Sequence, residues 1–534
     1  MKAKLFYLFI ALVMVLSLVA VAGAPRPGTV QAATELHVVP FTLQPGGVTA
    51  IWTTCDKHTG SYSVALTTSN PGDYAGVGFT PVAGLGGYNG KINSITSLSF
   101  WFNCTAWNQY SGPRFSLLLD VDGGDGTPDH LVVSADVAEG TTAAWTQWSP
   151  DFGNSTGVNR FWYGTCNPDG SGYSEEAGPV SFNEVKTHFT GADVIAAAIY
   201  MGMVTSPPGA GSAYVDDPAV NGVTYYGRIQ DALDAASPGD TINVYPGTYQ
   251  ENIVITESVT LQSSGDVVNT IICGDGTDPA VTIGGASPFT GTATVWGFNI
   301  TADNTDAYGI DVSELSGGTV NIGGIDTPNL IHGNFHGIHV GAVDDSSEVT
   351  ILHNVIYENL HDGVNFGGAV QPMNGTATIQ ENYIGAIYMY DPVFMPVPLD
   401  VAGNGDNGIF IHQVGADGTA TIQSNIIADN TLDGIRIDSI EGEVQIYENT
   451  VGAWQCWFDG THNDWIVGNH DNGIDIKDVS SAGSLNIEHN IISENDQDGI
   501  HFELAGGAIE GDVTIFNNRI GGYTYYPGDY EPPG

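Results

Sequence analysis

One phrase recurs through the second half of the chain and limits what it can fold into. It reads V-x-I-x-x-N-x-I-x-x-N, a short gap, then D/N-G-I-x-I. The cleanest copy has Val349, Ile351, Asn354, Ile356 and Asn359, followed by Asp362, Gly363, Val364 and Phe366. Further copies run over 420–437 and 485–502, and interrupted ones start at Ala377 and Val444. The glycines fall at 337, 363, 408, 434, 473 and 499, so the gaps are 26, 45, 26, 39 and 26 residues. A near-fixed period of this length means stacked repeats. Short apolar alternations broken by Asn and Gly are strands and turns, because a helix needs a period of 3.6. One coil cannot bury its own apolar edge, so neighbouring coils must stack.

The phrase resembles the repeats of right-handed parallel β-helix proteins of the pectin-lyase-like superfamily, from about Tyr225 onward. The resemblance implies an all-β chain, with an amino-terminal β-sandwich followed by a right-handed parallel β-helix and a capping helix at its start. It does not choose a function, because one fold hosts many chemistries. Arg228–Ala236 has apolar residues on one helical face, and Pro238-Gly239 ends it. The stretch after it resembles the β-helix entry of pectin methylesterases, with Gly247, Tyr249 and Glu251. The catalytic motifs of those enzymes are absent, so these three residues are expected to be structural.

Residues 1–33 have the form of a secretory signal: Lys2 and Lys4, an apolar run from Leu5 to Ala22, then small residues. No later stretch could span a bilayer. The expected divisions are therefore 1–33 signal, 34–217 sandwich and 218–534 β-helix, with the chain stopping inside an insertion. In the sandwich region Leu98-Ser-Phe100-Trp-Phe102 alternates as a half-buried antiparallel strand does. Its closing strand, Tyr214 to Gly222, resembles the last strand of jelly-roll sugar-binding modules.

Charge narrows the partners. The chain has 60 acidic and 12 basic residues, a net charge of −48, which disfavours polyanions such as nucleic acid. Asp120, Asp122, Asp125 and Asp129 surround a glycine turn at a spacing that can wrap a hard cation such as calcium, or can form a solvated acidic tip. Of five cysteines, either Cys55 and Cys104 pair or all stay as buried free thiols. Trp101 falls opposite Phe100 and Phe102, so it is a candidate for stacking on sugar. The insertions at 385–401 and 452–467 follow the same coil position and must leave on one side. They carry Tyr388, Tyr390, Trp454, Trp457 and Trp465, which are further glycan-binding candidates.

Within each Gly-Ile-x-Ile strand the middle residue points out: His339, Asn365, Phe410, Arg436, Asp475 and His501. Stacking puts these in one column, where Arg436 and Asp475 can pair. The Asp/Asn before each glycine is expected to form a turn ladder, and the inner asparagines a hydrogen-bonded stack. The expected function is an exported glycan-binding or scaffold protein, secreted or at the cell surface. The alternative is a polysaccharide hydrolase or lyase using Asp306, Asp438, Asp475 or Arg436.

Overall fold

The computed structural model describes residues 34–521, except 47–48, 55–56, 59–61, 69–73, 107–111, 124–125, 136–143, 168–172, 203–210, 303–305, 325–326, 368–371, 386, 390–398, 453, 459–461, 467 and 504–508. The signal-like stretch 1–33 and Cys55 lie outside the described residues. No helix among those described is long and apolar enough to cross a membrane.

Two antiparallel sheets form the sandwich. One has seven strands, with Arg114–Asp120 and Asp193–Gly202 near its middle. The other pairs Gly211–Val220 with Ser63–Thr68 on one side and Leu98–Ala106 on the other. Alternation decides which residues lie between the sheets. Phe100 and Phe102 join Phe115, Leu117, Trp148 and Ile199 in a single core. Trp101 points away and is half-buried.

The first strand departs from the expected division. Glu35–Val38 falls within 34–217, yet it pairs in parallel with Thr241–Val244 and sends Leu36 and Val38 into the coil core. It serves as the rung before the first coil. Gly211–Val220 leaves the sandwich and turns at Asn221-Gly222, both at positive φ, into Val223–Tyr226. That strand pairs in parallel with Glu35–Val38. The sandwich sheet and the coil stack therefore share continuous hydrogen bonding, and the strand runs through residue 217.

The helix Ile229–Ala235 buries Ile229, Ala232 and Leu233 in the core at the start of the coils. Its N-cap, Arg228, offers no side-chain bond. Glu251 takes that role instead, accepting the backbone N–H groups of Ile229 at 2.8 Å and Gln230 at 3.1 Å. Tyr249 is buried and donates its hydroxyl to the carbonyl of Tyr245. Both residues are structural, as expected.

The coils build three parallel faces. Face one runs from Thr241–Val244 to Asp512–Phe516, face two from Gly247–Gln250 to Arg519–Ile520, and face three from Ile253–Ile255 to Ile500–Phe502. Faces two and three hold ten and nine strands, so the register repeats far enough to make long columns. Inward Ile and Val fill one continuous core. The Asp/Asn-Gly positions admit no side chain. A Cβ at Gly363 would lie 2.8 Å from the carbonyl oxygen of Gly408 on the next coil.

Two asparagine ladders line the corners. Between faces one and two, Asn329, Asn354, Asn382, Asn425, Asn449 and Asn490 each pass an Nδ2–H to the Oδ1 of the next, ending on Asn518, at 2.9 to 3.0 Å. Between faces two and three, Asn334, Asn359, Asn404, Asn430, Asn469 and Asn495 do the same at 2.9 Å. The expected turn ladder also forms. Asn407 donates to Asp362 at 2.8 Å and accepts the N–H of Asp433, and Asn472 repeats this with Asp433 and Asp498.

Asn425 bonds Ile379 and Asn449 and accepts from Asn382. Asn425→Ala should lower the unfolding free energy by about 3 kcal/mol, since several buried partners lose their bonds together. Urea denaturation measures this, and a loss below about 1 kcal/mol would mean the ladder is not what closes that corner.

Candidate functional site

The outward side of face three brings several titratable side chains into contact. Its strands are short and both end residues point inward, so one outward residue per coil falls into strict register. Asp311, His339, Asn365, Phe410, Arg436, Asp475 and His501 form that column. Strand spacing places successive members about 4.8 Å apart.

The lower part is an alternating charge grid. On one coil Arg436 lies 3.1 Å from Asp438, two residues along the strand. On the next coil, Asp475 lies 3.7 Å from Arg436 and Lys477 lies 3.0 Å from Asp438. On the third, His501 lies 2.7 Å from Asp475 and Glu503 lies 3.8 Å from Lys477. Each of these pairs joins a carboxylate to a basic group, and His501 is cationic only when protonated. Burial works against the charge of Arg436, but Asp438, Asp475 and Asp433 outweigh it and raise its pKa. The hydrogen bond from Asp475 holds His501 above the usual imidazole value, against a smaller effect of burial.

The upper part is a cluster of rings. Tyr308 stacks on His339 at 4.6 Å, Phe335 meets His361 at 4.2 Å, and Phe410 meets His412 at 4.0 Å. His336 sits among them. Burial first, then the neighbouring His339 and His361, drives it down to about 3, so it is a neutral ring near pH 7. His339 is bonded to Asp311 and His361 to Asp406. Arg436 lies 5.6 Å from the centre of the Phe410 ring, which joins the rings to the charge grid.

The insertions leave at the corner between faces two and three. Gly385 and Gly452 both have positive φ, 104° and 112°, and each begins a two-stranded hairpin. Ile387–Met389 pairs with Leu399–Val401, and Trp454–Phe458 pairs with His462–Ile466. Gly385 and Val451 belong to the same strand column two coils apart, and Ile387–Met389 touches His462–Ile466. Both hairpins therefore leave on one side, as expected. Tyr390 and the side chains of Tyr388, Trp454, Trp457 and Trp465 lie outside the described residues.

The other expected sites scatter. Asp306 is exposed and precedes the Asp311 strand, four register steps from Arg436, so it does not join Asp438 and Asp475. Trp101 is not an open platform: His58 stacks on it at 3.8 Å, because the hairpin carrying His58 folds over that sheet. Asp120, Asp122 and Asp129 each offer an oxygen within 4.8 Å of the others, a spread compatible with a single hard cation. Asp125 lies outside the described residues. Asp120 is buried and already accepts the N–H groups of Gly123 and Gly126.

Sequence reasoning missed the ring cluster, because Tyr308, Phe335, His336 and His361 sit in turns rather than in the repeated strand. Their signal was position: Phe335-His336 and Leu360-His361 both fall just before an x-Gly-Ile/Val strand.

No family model matches the chain, and no curated protein matches it. Among solved structures it is similar to the Agl-KA catalytic domain, at 11% identity and a TM-score of 0.33, over 92% of this chain and 85% of that one. It is similar to the catalytic unit of a GH87 alpha-1,3-glucanase from Streptomyces thermodiastaticus, at 13% identity and a TM-score of 0.25, over 93% and 98%. A pectin methylesterase in complex with a hexasaccharide overlaps at 11% identity and a TM-score of 0.24, over 48% and 85%. Overlaps this loose assign no residue and no chemistry.

Removing Arg436 should cost more than removing Lys477. Asp475 and Asp433 are almost fully buried beside Arg436, whereas the partners of Lys477 are partly exposed. Arg436→Met should therefore cost about 3–5 kcal/mol by stranding buried charge, and Lys477→Met under about 1 kcal/mol. Equal losses in denaturant titrations would show that burial does not rank these pairs. The three-faced ladders carry the identification: this is a repeat protein with a parallel β-helix fold, joined at its start to an antiparallel β-sandwich.

Proposed function

We propose that this is an exported protein, secreted or held at the cell surface, that binds a polysaccharide or cell-surface glycan along face three. The observation that carries the reading is the run of half-buried rings from Tyr308 to Phe410, which adjoins the Arg436 grid through His339 and Phe410 in the same column. Flat rings set along a rigid wall offer apolar faces to sugar rings, and the polar groups between them can orient hydroxyls. The grid cancels its own charges on a molecule of net charge −48, which suits a neutral glycan better than a polyanion. The two hairpins leave at the corner beside this face, and Tyr388, Tyr390, Trp454, Trp457 and Trp465, named from the sequence of these insertions, are proposed as further glycan contacts.

A second reading has one observation in its favour. Asp438, Asp475, Arg436 and Lys477 converge within bonding distance, and acid and base groups so placed could serve a hydrolase or lyase. Affinity electrophoresis against neutral polysaccharides separates the two. In the binding reading, Tyr308→Ala and Phe410→Ala each weaken retention about tenfold, the worth of one stacked ring. Retention unchanged in both would sink it. Release of reducing sugar that stops in Asp438→Asn or Asp475→Asn would establish the second reading instead.

Calcium at Asp120, Asp122 and Asp129 is a separate proposal. Calcium at a hundred times its Kd should stabilise the sandwich by about 2.7 kcal/mol. A thermal midpoint that does not respond to calcium or chelator, or responds equally in Asp122→Asn, would end it.

A further inference from the structure

Three carboxylates meet where the sandwich joins the coils, and neither the binding wall nor the calcium loop uses them. Asp216 and Asp217 lie on Gly211–Val220, and Asp231 lies on the capping helix Ile229–Ala235. Asp217 and Asp231 are 9% and 5% exposed, so water screens them little. His58 and Tyr62, between Thr49–Thr53 and Ser63–Thr68, reach all three. His58 donates its backbone N–H to Asp216 at 3.1 Å, and its Nδ1 lies 2.7 Å from Asp217. Tyr62 donates its N–H to Asp231 at 2.9 Å. Asp217 donates its own N–H to Asp216 at 2.9 Å and has a φ of 46°, a backbone state that ordinary side chains resist. The His58 ring is pinned flat on Trp101.

We propose that Asp216, Asp217 and Asp231 form a proton-held clamp, which fastens the sandwich to the capping helix while a proton is retained among them and loosens when it leaves. One loop thus grips a sandwich strand and the cap of the coils through groups that repel one another when all are ionised.

Among the described residues, several elements place groups against Asp216. They are Asp217 on its own strand, His58 on the hairpin, Asp231 on the helix, and Tyr226 on Val223–Tyr226. Burial first and Asp217 second push Asp216 up to about 8, against the N–H bonds of His58 and Asp217, while Asp231 pushes it further up. Burial first, then Asp217, Asp216 and Asp231, raise Tyr226 as well. Arg228 is engaged beside this cluster, 4.0 Å over the Tyr62 ring and 3.5 Å from Glu251.

The sign follows. The folded value of Asp216 stands above its unfolded 3.8, so the folded state holds a proton that the unfolded state has released. The clamp is therefore strongest in acid and loses strength as pH rises from about 4 to about 8.

Amide exchange on the full chain tests it, corrected for the pH dependence of intrinsic exchange. Between about pH 5 and about pH 8.5, protection of residues 211–236 should fall about tenfold relative to residues 409–437. Asp216→Asn should hold protection constant over that range, and Asp231→Asn should make the fall shallower. Flat protection in the wild type, or an equal fall in both variants, would overturn the clamp. Should Asp216→Asn not fold, the Asp231→Asn comparison decides alone.

Discussion

A buried amide at a coil corner has two N–H groups and two carbonyl lone pairs to satisfy, with no water to help. Asn425 fills all four positions. It donates to Ile379 and Asn449, and it accepts both the backbone and side-chain N–H of Asn382. Because each asparagine supplies what the next one needs, the requirement passes from coil to coil. It also absorbs the carbonyl and N–H groups that a sharp turn leaves unpaired, which would otherwise cost about 1–3 kcal/mol each. The residue before each first-ladder Asn from Asn354 onward has a φ between 55° and 59°, so the turn is tight and identical each time. Fixed corners fix the register, and fixed register makes the outward columns.

The outer wall inherits its order from that register. Arg436, Asp475 and His501 do not seek each other through long flexible loops; they are placed opposite by strands whose inward Ile positions leave no choice of face. A slip of one residue would bury all three and expose Ile435 and Ile474. The alternating signs then follow from which residue occupies each outward slot. Asp362 and Asp433 follow the same logic at the turn. Burial raises both, and the amides of Asn407 and Asn472 beside them work in the other direction.

Most of the coil was legible in the sequence, because a period-2 alternation with a recurring Asn and Gly leaves few alternatives. The first asparagine ladder, the Asp/Asn turn ladder, the Arg436–Asp475 pair and the common side of the hairpins all follow from counting. The second ladder did not, because Asn404 and Asn469 come after the insertions. Counted forward from the first Asn they look misplaced, whereas counted back from the glycine each stands four residues away, as Asn359, Asn430 and Asn495 do. The Tyr308–His339 stack and the His58–Trp101 stack were invisible for a different reason. Each joins residues on separate elements, and no local pattern encodes such a meeting. The role of Glu35–Val38 was hidden too, since a four-residue alternation fits a sandwich strand and a coil rung equally well.

That first strand shows how the stack manages its ends. Ile322, Ile351, Ile422, Ile446 and Ile487 occupy one inward column and are completely buried, while Ile515, in the last described rung, is 47% exposed. Ile515 has no described rung after it, and a following rung would cover it as it covers the others. At about 25 cal/mol per Å² of apolar surface, this stacking term is what a single coil lacks. At the opposite end Glu35–Val38 supplies that missing neighbour for Thr241–Val244, and the helix Ile229–Ala235 covers what remains. The sandwich then continues the hydrogen bonding through Val223–Tyr226 and Gly211–Val220, so the face-one strand of the first coil presents no open edge. The junction is thus part of what closes the coil core at that end, and loosening it would expose Leu36, Val38 and Ile242 together.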